Sequence, residues 1–149
     1  MNPTITKPTE IISLLGTIDP ASVAAGTVTS DYVDMSQISS LLAAITTGVL
    51  GASATINAKM VQATSAAGAG KKDIAGKAIT QIVKASGDNV QAEINLFAEE
   101  LDTENNYQYA ALELTVGTAA SLVSAVLLGS AHRYNPASMS NLSSVAQIV

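Results

Sequence analysis

Few residues in this chain of 149 could do chemistry, and they fall in three places. The single histidine, His132, lies in the run Gly129-Ser130-Ala131-His132-Arg133. On a strand, Ser130 and His132 would share one face, but a serine nucleophile also needs a group to orient its base, and no Gly-x-Ser-x-Gly elbow is present. His132 beside Arg133 therefore reads as a surface histidine. The densest carboxylates are Glu99, Glu100, Asp102 and Glu104. They lack the alternating Asp/Asn and glycine pattern of a calcium loop, and Glu99 with Asp102 lacks the apolar pocket that would separate two pKa values, so an acidic solvated turn is expected. Gly68-Ala69-Gly70-Lys71-Lys72 has the look of a phosphate loop. A Walker loop, however, needs Gly, four residues and Gly-Lys-Ser/Thr opening a helix, whereas Asp73 and a strand-like segment follow here, which predicts an exposed hairpin loop.

The remaining chemistry is thin. With one histidine and no cysteine, histidine-pair and thiolate metal sites and disulfides are excluded. The aromatic residues are Phe97, Tyr32, Tyr107, Tyr109 and Tyr134, with no tryptophan, so a stacking platform for sugars has little material. No catalytic, cofactor-binding or metal-ligating residue is assigned, and a non-enzymatic protein is expected.

Composition points the same way. Seven Lys and Arg against twelve Asp and Glu give 7 − 12 = −5, and the basic residues never cluster beyond Lys71-Lys72, which argues against a nucleic-acid partner. Charged residues make up 13% of the chain, about half the usual share, as suits a surface covered by neighbours.

The elements that must position these residues turn on Tyr107 to Ala131, which is apolar enough to raise the question of a membrane helix. Glu113 would lie inside that span, and Gly117, Thr118 and Ser121 interrupt it. Alternation favours a strand: Ala110, Leu112, Leu114 and Val116 on one face, Tyr109, Ala111, Glu113 and Thr115 on the other, with Glu113 turned to solvent. After a turn at Gly117 to Ala120, Ser121 to Gly129 reads as a central strand, apolar on both faces. No membrane partner is expected.

The period-two signal recurs along the chain. Strands are predicted over Glu10 to Ile18, Ser22 to Met35, Ser40 to Val49, Ala54 to Ala63 and Ile74 to Val83. A turn at Ser86 to Asn89 precedes a strand with Val90, Ala92, Ile94 and Leu96 inward, and Ala98 to Asp102 reads as a helical turn. This predicts an all-β protein, an antiparallel β-sandwich of jelly-roll or Ig-like type with about eight strands. The sandwich is expected over 10–133, flanked by an N-terminal arm (1–9) and a Ser- and Asn-rich C-terminal arm (134–149) that orders on a partner.

Gly76 to Thr80 (GKAIT), Ala98 to Asp102 (AEELD), Tyr109 to Ala120, Leu128-Gly129 and Arg133-Tyr134 with Pro136 together resemble a family of small virion proteins of tailed bacteriophages and prophages. The resemblance runs from about Leu41 to Pro136. It implies a β-sandwich virion component near the capsid: a decoration or cement subunit that binds and stabilises the head shell, with the major capsid protein and copies of itself as partners. Its location would be the virion, assembled in the host bacterial cytoplasm. A head–tail connector or tail subunit, and a host-surface carbohydrate-binding module using Tyr32, Tyr107 or Tyr109, are the alternatives.

Overall fold

A computed structural model describes residues 6–149, so most of the expected N-terminal arm, residues 1–5, lies outside the described residues. A helical turn α1 (Pro8–Ile11) precedes ten strands: β1 (Ser13–Val23), β2 (Gly26–Thr29), β3 (Val33–Asp34), β4 (Ile38–Thr47), β5 (Thr55–Ala63), β6 (Lys72–Ala78), β7 (Ile82–Val83), β8 (Gln91–Phe97), β9 (Tyr109–Gly117) and β10 (Ser121–His132). A second helical turn, α2 (Lys84–Gly87), precedes β8, and 3-10 turns follow at Ala98–Glu100, Thr103–Asn105 and Ala137–Ser144.

Sheet I has the order β1-β10-β4-β8 and sheet II the order β2-β9-β5-β6, with β3 joined to β9 and β7 to β5. All pairings are antiparallel. The pairs nest: β5 with β6 innermost, then β4 with β8, β2 with β9, and β1 with β10. The chain is thus one long antiparallel hairpin rolled on itself and closed by β10 against β4 and β9 against β5. That wrapping is a jelly roll, which decides between the two sandwiches expected from sequence.

Alternation places the core between the sheets. Ile45, Ala125 and Leu127 of sheet I meet Ile56, Met60, Leu112, Leu114 and Val116 of sheet II, and all are buried. Ile94 and Leu96 of β8 turn inward as expected, and Ala92 packs against the core from its edge.

Several elements depart from the sequence reading. The strand expected over Glu10 to Ile18 starts at Ser13 and runs on to Val23 past Asp19-Pro20, which is possible because β1 is an edge strand with bulges near Leu14 and Ile18. Ser22 to Met35 splits into β2 and β3 because Ser30 Oγ accepts the Leu112 N–H at 2.9 Å where a ladder carbonyl would. Ile74 to Val83 breaks into β6 and β7. The turn at Ser86 to Asn89 is entered through α2, and Asp88 Oδ1 accepts the Leu50 N–H at 2.8 Å.

Candidate functional site

His132 closes β10, opposite Ile38. Its Nε2 lies 3.0 Å from both the Gly129 carbonyl and Ser13 Oγ, and its Nδ1 lies 3.0 Å from Ser140 Oγ. A carbonyl can only accept, so Nε2 carries a hydrogen toward Gly129. Ser130 stands across from Ser40 on the outer side of the sheet and is not its partner. The ring therefore ties the start of β1 and the C-terminal segment to the end of β10, and this tie was not legible from the spacing of Ser130 and His132. Asn141 adds a second tie, donating to the Leu14 carbonyl at 3.0 Å, and Ala137 is fully buried.

The acidic turn is neutralised from β6. Glu100 accepts from Lys77 at 2.8 Å and from the Phe97 N–H at 2.8 Å, and the Lys77 ammonium followed by that N–H holds its carboxyl below the usual range. Asp102 is paired with Lys72 and bonded by the Asn105 amide, and these two, the lysine first, lower its pKa as well. Glu99 and Glu104 stay exposed. Among the described residues no three acidic or histidine side chains converge as a metal site would require.

The glycine-lysine loop folds over the outer face of sheet II. Gly68 takes φ +82° against the Tyr32 ring, and Tyr107 donates its hydroxyl to the Gly70 carbonyl at 2.8 Å. Lys71 reaches Glu113 at 2.5 Å, and Lys59 lies 3.7 Å from the same carboxylate and 2.8 Å from Asp73. Glu113 was expected in solvent and is instead 8% exposed, because a loop remote in sequence covers its face. The hydrogen bonds, to Glu113 for Lys71 and to Asp73 for Lys59, raise both lysine pKa values. The loop's lysines are thus engaged by the protein's own carboxylates.

Tyrosine faces are engaged too. Lys72 Nζ sits 4.1 Å from the Tyr107 ring centroid, and Gly68 lies against Tyr32.

The outer face of sheet I is different. Register places Leu14, Leu128, Leu42 and Asn95 in one row across the four strands, and Thr17, Val126, Ala44 and Glu93 in the next. Leu14, Leu42, Ala44, Val126 and Leu128 are only half-buried, and Leu122 and Phe97 are exposed. Glu93 is the one charge in these rows and forms no ion pair among the described residues. The two-sided apolar pattern of β10 was the signal for this surface.

No family model matches the chain, and no curated protein does. Solved structures do. Among them are chains of virus particles. One, from the crystal structure of the T13 infectious bursal disease virus particle, superposes with a TM-score of 0.51 at 12% identity over 85% of this chain. This chain spans 32% of that one, about a third of its length. A chain of broad bean stain virus gives 0.45 at 9% identity, covering 87% of this chain and 90% of its own. A chain of an empty cowpea mosaic virus-like particle gives 0.41 at 10%, covering 87% and 84%. The first of these likenesses agrees with the jelly roll derived from strand order. Among the described residues no helix is long and apolar enough to cross a membrane.

Proposed function

We propose that the protein is a non-enzymatic virion structural protein, a decoration or cement subunit that binds the assembled head shell of a tailed phage through the outer face of sheet I. One observation carries this reading: the fold answers its charges internally around sheet II and leaves on the outer side of sheet I two rows of half-buried apolar residues with Glu93 as their one charge. Contiguous exposed apolar surface of this kind marks an interaction site. The fold likeness to a virus-particle chain supports the setting. A subunit repeated over a symmetric shell needs only modest affinity at each contact, because many contacts act together. The partners are the major capsid protein and further copies of this chain, the location is the virion assembled in the host bacterial cytoplasm, and the segments flanking residues 10–133 serve as arms.

The test is the copy number of this chain relative to the major capsid protein in purified particles, read by quantitative mass spectrometry. A simple ratio to the capsid protein is expected. A handful of copies per particle would replace the cement role with a head–tail connector, and absence from particles would end the virion reading.

A further inference from the structure

The edge of sheet I at β8 is half closed and half open. Thr47 donates its N–H to the Val90 carbonyl at 2.9 Å, so Thr47 and Val90 form a hydrogen-bonded pair of the β4–β8 ladder. Antiparallel pairs alternate, hence Ala92, Ile94 and Leu96 also bond to β4, while Gln91, Glu93, Asn95 and Phe97 aim their N–H and C=O groups off the sheet. Two contacts confirm the parity: Lys77 Nζ donates to the Asn95 carbonyl at 2.8 Å, and Glu100 accepts the Phe97 N–H. Lys77 and Glu100 pair with each other and so cap the Phe97 end. The outward N–H and C=O groups of Gln91 and Glu93, and the N–H of Asn95, have no backbone or side-chain partner among the described residues.

At the opposite edge of the same sheet the chain carries a segment that belongs to no helix or strand. Val145 to Val149 leaves its last 3-10 turn with Val145 at φ −98°, ψ 114°. It contains three β-branched residues and no charged side chain or proline, and makes no backbone hydrogen bond with the other described residues. Val145 and Ile148 line an apolar groove with Ile12 and Leu14, which sets the tail beside β1. Three strand spacings of about 4.8 Å, roughly 14 Å, separate β1 from β8. Five extended residues span about 17 Å, so the tail cannot cross its own sheet and still pair along β8.

We propose that the tail Val145–Val149 of one copy pairs with the open half of the β8 edge, Gln91 to Asn95, of a second copy. The contact is strand addition, with backbone hydrogen bonds supplying affinity. It joins opposite edges of the same sheet, so it is heterologous and propagates from copy to copy, closing into rings or continuing over a lattice. The Lys77–Glu100 cap sets the register by stopping the added strand before Phe97. This deepens the shell-binding reading and rests on it for the setting alone.

The chain lacks cysteine, so placed thiols report the contact directly. Purified Glu93→Cys and Gln147→Cys chains, mixed and oxidised, are expected to give mainly the mixed disulfide dimer. Glu93→Pro, which removes an outward N–H without breaking a ladder bond to β4, and deletion of residues 145–149 are each expected to weaken self-association at least about tenfold in sedimentation while keeping the β-sheet circular dichroism. Like-with-like dimers dominating the mixture would overturn the proposal, as would a chain that stays monomeric at millimolar concentration. If Glu93→Pro does not fold, the deletion decides: association at the parent strength overturns the proposal, and its loss supports it. None of these failures touches the particle copy number, which tests the virion reading separately.

Discussion

The outer face of sheet II carries Lys59, Lys71, Asp73 and Glu113, each answered by another, whereas the outer face of sheet I carries Glu93 unanswered among half-buried leucines and valines. The contrast separates two ways of finishing a sandwich. A face whose charges are paired within the chain offers a partner little, since exposed ion pairs contribute about 0–1 kcal/mol and a newcomer would have to displace them. A face with one unanswered charge and only partial cover keeps apolar surface in contact with water, and about 25 cal/mol per Å² is recovered when a partner removes it. Adjacent residues of β10 carry the contrast to single positions, because Leu127 points into the core and Leu128 out of sheet I.

The largest effect is expected inside. Leu127 is fully buried, and Leu127→Ala should cost about 2–5 kcal/mol in urea denaturation, the range for a buried leucine whose cavity closes incompletely. A loss below about 1 kcal/mol would mean that the two sheets are not packed on each other at this level.

How much of this could be read from the sequence follows the same division. Strand β9 and its inward set Ala110, Leu112, Leu114 and Val116 were legible because alternation is local, and all four are at most 1% exposed. The burial of Glu113 was not, since it depends on Lys71 and a loop some forty residues earlier in the chain. The role of His132 was hidden for the same reason: Ser13 lies 119 residues away. The apolar outer residues of β10 were visible, but alternation states only that a face is apolar and cannot distinguish a neighbour within the fold from one outside it.

The covering loop gives the next contrast. Lys71→Ala leaves the Glu113 carboxylate buried with Lys59 at 3.7 Å as its remaining cation. The expected cost is modest, because the Lys71 side chain is 47% exposed and water already screens the pair. Glu113→Gln removes the buried charge and frees Lys71 to water, so it should cost less, below about 1 kcal/mol. The reverse order of the two variants in denaturation would show that the loop is held by something other than this pair.

Acid should act through the β6 lysine pairs. Folded Glu100 and Asp102 have lowered pKa values, so their contribution is complete above the ordinary carboxylate range near pH 4 and is lost as pH falls through the lowered folded values. Lys59 and Lys71 have raised values, so theirs holds below the ordinary lysine range near pH 10 and is lost as pH climbs past the raised ones. Urea stability should therefore be flat from about pH 5 to 9 and fall on both sides. Lys77→Ala should shallow the acid limb by removing the main partner of Glu100. An unchanged acid limb in that variant would shift its cause away from the 98–102 turn.

The smallest effect on the fold should come with the largest effect on association. Leu128 is half-buried in the row with Leu14 and Leu42, so Leu128→Ala removes surface that is partly wet already and should cost at most about 1 kcal/mol. If sheet I meets the shell, the same change should release the subunit from purified particles under washing that retains the parent chain, with an unchanged particle copy of the capsid protein. Leu128→Lys should release it more completely, because an ammonium would be desolvated on docking without a counter-charge. A Leu128→Lys chain that folds and stays on the particle would move the contact elsewhere, leaving the apolar face of sheet I without its assigned role while the paired face of sheet II became the place to look.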